Sequence, residues 1–311
     1  MFFPILVFCV SLAVLIFASR VVINNSIKLS EYYGISQLAI GFILIAFTVS
    51  LPDLMVSVIA AATGDPALGI GDALGSTVAN ICLVLGVATI IRKISLERQH
   101  VKDCTELLLL IGAVPAAFLI WGTLGRAEGF ILLILFVIYC FFVMKERISF
   151  KIKDGVRKRD LHSIFLMLFV SLLVVVVSAR FIVASAKDLA MIFGLSEAVL
   201  GLTLISFGTT LPELAIDFTA IRRGQIALAV GDILGSSVIN LTLVLGSVLV
   251  ISPFKANLSV FTMAISFVII ANTFLIYSLV KHEGVGRRQG IVFLLLYAAF
   301  IIASLSSKAL G

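Results

Sequence analysis

Long apolar stretches, separated by short polar loops, follow one another along the 311-residue chain. A membrane-spanning helix needs about 20 mostly apolar residues, and ten stretches reach that length. The pattern therefore predicts an all-α integral membrane protein with ten transmembrane helices. The predicted spans are residues 2–23, 36–62, 68–91, 104–122, 127–145, 163–186, 195–221, 226–250, 257–280 and 289–307.

Composition agrees with this prediction, because 61% of the residues are hydrophobic and only 13% are charged, against about a quarter charged in soluble domains. The net charge of +6 does not indicate a nucleic-acid partner, since the basic residues lie in loops between spans. The four Cys and three His residues show no metal-ligand spacing. We therefore expect no soluble domain, no nucleic-acid partner and no metal site built from Cys or His.

The basic residues also predict the orientation in the membrane. Of the 23 Lys and Arg residues, 17 lie in loops after odd-numbered spans, four lie on the opposite side, and two lie near the ends of spans 1 and 6. By the positive-inside rule, we expect a multi-pass protein of the cell membrane with both termini extracellular. The basic linker 147–162 is then cytoplasmic, where it meets anionic lipid, and it separates residues 1–146 from residues 163–311.

Two segments of the chain are copies of each other. Residues Ala46–Ser57 match Ser206–Asp217, and without a gap 24 of 53 positions are identical between Gly34–Gly86 and Gly194–Gly246. The offset of 160 residues covers five spans. Because five is odd, matched spans cross the membrane in opposite directions, as in the inverted repeats of many transporters. We therefore expect two inverted-topology five-helix repeats.

Each copy places a carboxylate directly after a proline, as Pro52-Asp53 and Pro212-Glu213. Proline lacks the backbone donor and crowds the preceding turn, so helices 2 and 7 should be broken there. Freed carbonyls are tolerated at bilayer depth where they line a cavity, and charges at that depth indicate a functional site. Carboxylates, carbonyls and hydroxyls together favour Na⁺ or Ca²⁺. The carbonyls expected to lose their partners are those near Ala46, Phe47 and Thr48 and near Ser206, Phe207 and Gly208.

Inverted symmetry brings Asp53 and Glu213 face to face at the membrane midplane. Two facing carboxylates repel when empty, so protons or metal ions must occupy the site. Such a site cannot cheaply return empty across the membrane, and this property favours exchange over one-way transport.

Spans 3 and 8 carry a second polar pattern. Asp72, Ser76 and Asn80 are spaced four residues apart and so share one helix face, and three residues of span 8 repeat the spacing. The serines and asparagines favour ion ligation, whereas the neighbouring glycines favour close helix packing. The two aspartates either line an ion path or bind backbone amides of the broken helices. The matching residues of span 8 are Asp232, Ser236 and Asn240.

These motifs resemble the two alpha repeats of the calcium/cation antiporter superfamily, and its prokaryotic sodium/calcium exchangers in particular. The resemblance covers essentially the whole chain and implies alternating access, in which spans 1 and 6 slide across the rest. It implies calcium ligation by Asp53, Glu213 and the carbonyls of Val49 and Thr209. It implies sodium ligation by the same two carboxylates with Ser50, Ser76, Thr210, Ser236, the carbonyls of Ala46 and Ser206, and Asn80 and Asn240 beside the middle position. Beyond the transported ions we expect no cofactor, and we expect a monomer.

The first copy departs from the family pattern. It has Thr48-Val49-Ser50 where Gly-Thr-Ser is usual, and Asp53 is one methylene shorter than the usual glutamate. Both asparagines are neutral where some relatives carry an acid. These departures leave open a proton-coupled exchanger or an exchanger of another divalent cation on the same fold.

Two alternatives come from other classes of protein. The segment Gly69–Asp72 matches the Gly-x-Gly-Asp motif of intramembrane aspartyl proteases, whose acids act in hydrolysis. The partner Tyr-Asp motif is missing, and the duplicated Asp232 has no place in an asymmetric protease. The second alternative is a channel. A continuous pore does not need a tight cage of carboxylates and carbonyls, so the predicted site favours a transporter over a channel.

Overall fold

The computed structural model describes residues 2–33, 40–95, 105, 108–114, 117, 125–147, 161–192, 201–254, 259–282 and 284–306. Residues 148–160 of the linker and most of predicted span 4 lie outside the described residues, although residues 108–114 are helical. The α-helices are α1 (Phe2–Tyr33), α2 (Ala46–Val49), α3 (Leu51–Ala62), α4 (Pro66–Val78), α5 (Leu85–Ile91), α6 (Arg126–Arg147), α7 (Leu161–Ile192), α8 (Ser206–Thr209), α9 (Leu211–Arg222), α10 (Ile226–Ile239), α11 (Leu245–Ile251), α12 (Ser259–His282) and α13 (Arg287–Ser306).

Four helical segments of the described chain are long and apolar enough to cross a membrane by length and composition. They are Pro66–Ile91, Ile226–Ile251, Phe261–His282 and Arg287–Ser306. The helices α1 and α7 extend beyond the predicted spans 2–23 and 163–186. The additional turns contain polar residues, so hydropathy alone ended these helices too early.

The predicted spans 36–62 and 195–221 are interrupted near their prolines, as the sequence predicts. Ser50 separates α2 from α3, and Thr210 separates α8 from α9. Pro52 and Pro212 then lie in the first turns of α3 and α9, where a missing backbone donor costs nothing because first-turn amides have no partner within the helix.

π-Helical turns occur at matched positions of the two halves, a feature that the sequence patterns did not predict. Two of them lead into α2 and α8, and the other two contain Asn80 and Asn240. Short π segments inside α-helices occur frequently at functional sites. The four turns are π1 (Gly41–Ile45), π2 (Ala79–Val84), π3 (Gly201–Ile205) and π4 (Asn240–Val244).

The halves pack through reciprocal contacts. A Cβ at Gly75 of α4 would lie 2.6 Å from the Leu202 carbonyl oxygen and 2.6 Å from Ser206 Oγ. At Gly235 of α10, a Cβ would lie 2.8 Å from the Phe42 carbonyl oxygen and 2.7 Å from Ala46 Cβ. The residue numbers in the two sets of contacts differ by 160, the offset of the repeat. Glycine thus permits the backbones of opposite halves to touch at the centre of the molecule.

The sequence patterns did not predict one short feature of this mostly helical protein. The strands β1 (Ile94–Ser95) and β2 (Gly284–Val285) form a two-stranded antiparallel sheet. Their backbones pair because the chain segments that follow α5 and α12 meet outside the helices. Periodicity cannot reveal a pairing of only two residues on each strand.

Candidate functional site

The centre of the molecule contains five fully buried carboxylates. Each has 0% exposure, and the buried side chains of the described residues include no Lys, Arg or His. Burying unpaired charge costs several kcal/mol per ion, so protons or bound cations have to neutralise these groups. The five are Asp53, Asp72, Glu213, Asp217 and Asp232.

Asp53 lies where both halves contribute side chains. Ser76 Oγ is within a long hydrogen bond, 3.5 Å, of Asp53 Oδ1, and the Ser76 and Thr209 hydroxyl oxygens are 3.3 Å apart. The side chain of Asn240 lies beside the carboxylate without completing a hydrogen bond. Asp53 Oδ2 has no partner among the described residues. This oxygen is available to an ion.

Glu213 has still fewer partners. Neither carboxylate oxygen accepts a hydrogen bond within the described part of the chain, and Asp53 is the acid with the strongest electrostatic effect on it. The polar side chains of Ser50, Asn80 and Asn240 are also buried without partners there. Buried polar groups are nearly always hydrogen-bonded. Several polar groups around the two carboxylates therefore lack hydrogen-bond partners. This is expected of a site in which a bound cation contacts these groups instead.

The donor set suits a hard cation. Among the described residues no group of three or more His, Cys, Asp or Glu side chains could hold a metal ion. Any ion at the centre would therefore be held by the two carboxylates with neutral oxygens of hydroxyls, amides and carbonyls. Oxygen shells of this kind bind Ca²⁺ and Na⁺ in preference to softer metals.

The helix breaks leave several backbone carbonyls without their regular donors. Thr48 and Gly208 lack theirs, as predicted, because their i+4 residues are the prolines, and the same loss affects Val49 and Thr209. Across each break, the amides of Ser50 and Leu54 in the first half bond four residues back, but no such bond joins Asp53 to the Val49 carbonyl in the described structure. The Glu213 amide likewise makes no bond to the Thr209 carbonyl. Both carbonyls expected beside calcium are thus without their regular amide partners.

The prediction that Ala46 and Ser206 also lose their partners was wrong. The Ala46 carbonyl accepts the Ser50 amide at 3.0 Å, and the Ser206 carbonyl accepts the Thr210 amide at 3.0 Å. Thr210 Oγ1 also donates to the Ser206 carbonyl at 2.7 Å. The hydrogen bonds persist because the break falls after the last turn of α2 and α8. The Ala46 oxygen keeps a second lone pair for an ion, whereas both lone pairs of the Ser206 oxygen already accept hydrogen bonds.

Asp72 is held by hydroxyls from both halves. Ser57 Oγ donates to Asp72 Oδ2 at 2.8 Å, and Thr209 Oγ1 donates to Asp72 Oδ1 at 3.1 Å. Asp72 thereby connects α4 to α3 and to the broken helix of the opposite half. The two roles left open for this aspartate, lining an ion path and binding backbone amides of the broken helices, both stay predictions.

Asp232 has a different environment. It accepts one long hydrogen bond, from Ser236 Oγ at 3.4 Å, and Asp232 Oδ2 has no partner among the described residues. The Asp217 carboxyl lies next to it, and both Asp217 oxygens also lack partners. In the second half two acids, Asp217 and Asp232, are therefore neighbours, whereas the matched residues of the first half are a hydroxyl, Ser57, and an acid, Asp72.

Asp217 was missed in the sequence, although it ends the second copy of the repeat. The signal was present in the 160-residue register, which matches Asp217 with Ser57. A change from a hydroxyl to an acid at a buried repeat position was the clue. Asp217 lies four residues after Glu213 on α9, so both carboxylates occupy one helix face.

Known proteins share this architecture. The family model for the sodium/calcium exchanger protein matches residues 3–145 and 163–306. The chain belongs to the sodium/calcium exchanger family. This is a family of transporters, and the protein is not an enzyme, which removes the intramembrane protease from the alternatives.

Relatives of this exchanger-family protein match most of its length. It is 34% identical to inner membrane protein YrbG of Escherichia coli over 251 residues, which is 76% of each chain. It is 25% identical to the sodium/calcium exchanger MaX1 of Methanosarcina acetivorans, over 96% of this chain and 97% of the relative. The solved structure of the exchanger NCX_Mj, soaked with 10 mM Na⁺ and no Ca²⁺, has a TM-score of 0.84 and 28% identity, over 96% of this chain and 98% of the other.

Proposed function

We propose that the protein is a secondary antiporter that exchanges Na⁺ for Ca²⁺ across the cell membrane. The observation that carries the proposal is the cluster of five buried carboxylates without a buried cationic side chain among the described residues. A site of this charge is stable only with cations bound. One ion leaves when another takes its place, and this is exchange. The relatives named as sodium/calcium exchangers support these two ions as the cargo.

The proposed architecture is ten transmembrane helices in two inverted five-helix repeats, comprising residues 1–146 and 163–311. The reciprocal contacts of Gly75 and Gly235 support a two-fold relation between the halves. The orientation has both termini extracellular and the linker 147–162 cytoplasmic. The pairing of β1 with β2 supports this orientation. The two strands lie in the loops after spans 3 and 9, and the distribution of Lys and Arg predicts that both loops are cytoplasmic.

The proposed calcium position lies between Asp53 and Glu213, with the carbonyls of Val49 and Thr209. Flanking sodium positions share the two carboxylates. The unpartnered Ser50 hydroxyl and Asn80 and Asn240 amides support this assignment. The other proposed sodium ligands are Ser76, Ser236, Thr210 and the carbonyls of Ala46 and Ser206.

Alternating access would come from movement of α1 and α7 across the remaining helices. These two helices pack along each other. Their outward faces are apolar and exposed, with Phe17 68% and Phe169 62% exposed. A helix pair that faces lipid on one side can slide without separating buried polar contacts. The protein would do this as a monomer in contact with membrane lipid.

The test of the proposed function is calcium uptake into vesicles that contain the purified protein. Vesicles loaded with Na⁺ and diluted into Na⁺-free buffer should take up ⁴⁵Ca²⁺, and vesicles with Na⁺ on both sides should not. A pH gradient without a Na⁺ gradient is the second arm. Uptake that follows the pH gradient and ignores Na⁺ would instead establish the proton-coupled alternative.

A further inference from the structure

A cationic cavity lies at the end of α9, and none of the five buried carboxylates lines it. Its volume is about 510 Å³, within the range of small-molecule sites, and Arg20, Phe218, Thr219, Arg222 and Arg223 line it. The three guanidinium groups come from α1, from the last residue of α9 and from the residue that follows it, and α1 and α9 pack together. We propose that this cavity binds the phosphate group of an anionic membrane phospholipid.

The arginines are held in place by neutral contacts. Arg223 donates a hydrogen bond to Asn24 Oδ1 of α1, and the Arg222 guanidinium lies over the Phe218 ring, 5.7 Å from its centroid. Among the described residues no carboxylate contacts the three guanidinium groups. Three concentrated positive charges without a fixed anion form a site for one, and guanidinium matches phosphate geometry in particular.

The position of Arg20 favours a lipid over a soluble anion. Ten residues separate Arg20 from Val10 on α1, which is about 15 Å along a helix, or half of a hydrocarbon core about 30 Å thick. Between them Val14 and Phe17 are 40% and 68% exposed, and Val10 is 55% exposed. Apolar side chains that face outward over this distance contact acyl chains. Arg20 lies near the cytoplasmic end of the predicted span 2–23, from which a long basic side chain can reach the level of the phosphates.

The repeat shows that the fold does not require this cluster. The residues matched to Arg222 and Arg223 are Ala62 and Thr63, at the end of α3 on the opposite face of the membrane in the proposed topology. Arg20 is matched by Arg180, so only the pair Arg222 and Arg223 is confined to the face predicted to be cytoplasmic, where anionic lipids are concentrated. A lipid bound there would connect α1 to α9.

The test is native mass spectrometry of the full-length protein in detergent, titrated with phosphatidylglycerol, with phosphatidylcholine of the same acyl chains, or with inorganic phosphate. The wild type should bind one phosphatidylglycerol more tightly than phosphatidylcholine. Each arginine contributes about 5-fold to this preference. The variant with Arg20→Gln and Arg222→Gln should therefore bind phosphatidylglycerol at least about 10-fold more weakly, with a smaller loss for phosphatidylcholine, whose choline cation offsets its phosphate.

Arg288→Gln is the matched control, because Arg288 is exposed at the start of α13 and does not line the cavity. It should retain wild-type affinity. Equal phosphatidylglycerol affinity in the double variant and the wild type, or an equal loss in Arg288→Gln, would overturn the site. Inorganic phosphate that displaces the lipid at equal concentration would overturn the lipid as its ligand. If the double variant does not fold, the two single variants serve, each with an expected loss of about 5-fold.

Discussion

The two halves of the protein surround equivalent aspartates with opposite chemistry. Asp72 accepts hydrogen bonds from Ser57 and Thr209. At the matched positions around Asp232 the chain has Asp217 and Val49, so an acid replaces one donor and a methyl group replaces the other. The half that departs from the family motif at Val49 thus removes a donor from the aspartate of the opposite half.

This difference shows that a repeat can conserve its backbone while its charge distribution diverges. The glycine contacts are reciprocal, but the second half carries three of the five buried acids. Negative charge is therefore concentrated toward α9 and α10. Ion occupancy has more charge to compensate there than around Asp72, which hydroxyl donors already stabilise.

The largest expected effect is loss of transport when the central pair is neutralised. Asp53→Asn and Glu213→Gln should each reduce Na⁺-driven ⁴⁵Ca²⁺ uptake by at least about 30-fold, because removing one partner of a buried charge interaction costs about 2–5 kcal/mol. Asp65→Asn is the control, since Asp65 is a half-buried acid in the turn after α3 and should transport normally. Robust uptake by the variant with both central substitutions would refute the site.

The next effect comes from imposing the chemistry of the second half on the first. Ser57→Asp places a second carboxylate beside Asp72 and should lower the free energy of unfolding by about 3–5 kcal/mol, the range for an uncompensated buried charge. Thermal unfolding in detergent measures the change. Ser57→Ala, which removes only the donor, should cost less, about 1–3 kcal/mol. Equal midpoints for the two variants would show that charge is unimportant at this position.

The shared backbone framework predicts equal effects in both halves. Gly75→Ala and Gly235→Ala each force a Cβ against backbone or side-chain atoms less than 3 Å away. Each should destabilise the protein by about 1–3 kcal/mol, measured by the thermal midpoint. Gly286→Ala is the control, because its Cβ would meet only the end of the Gln289 side chain. A large loss in one half alone would argue against reciprocal packing.

The reverse exchange should stabilise the second half. Asp217→Ser removes one of two adjacent acids and supplies a hydroxyl that can donate to Asp232, as Ser57 does to Asp72. We expect a gain of about 1–2 kcal/mol, between a typical net hydrogen bond and a hydrogen bond to a charged group, seen as a higher thermal midpoint without added ions. Asp65→Ser should show no gain. A lower midpoint for Asp217→Ser would mean that the acid pair itself stabilises the fold.

The smallest effect concerns the other missing donor. Val49→Thr restores the hydroxyl of the family motif, and by analogy with Thr209 and Asp72 it should donate to Asp232. The expected gain is about 0.5–1.5 kcal/mol. A double-mutant cycle with Asp232→Asn measures it. A gain of the same size in the Asp232→Asn background would exclude a bond between these two residues.

Much of the fold follows from the sequence because the bilayer leaves few choices. A backbone in lipid must satisfy its own hydrogen bonds, so apolar length predicts helices such as α12 and α13 to within two residues. The same reasoning predicts only residues 2–23 of α1, which extends to Tyr33. The last turns of this helix are polar, and hydropathy does not indicate a helix outside the membrane. The strand pair β1–β2 was beyond any periodic signal.

The sequence by itself determined the helix breaks, because a proline disturbs the helix turn that precedes it. It also determined the residues of the central pair, because the duplicated Pro-Asp and Pro-Glu motifs can be recognised in the sequence. Only the tertiary structure decided which groups those residues meet. The hydrogen bond of Thr209 to Asp72 joins residues 137 positions apart, and the proximity of Asp217 to Asp232 depends on the packing of α9 against α10. Hydrogen bonds and charge repulsion act over a few ångströms of space, and distance along the chain does not specify them.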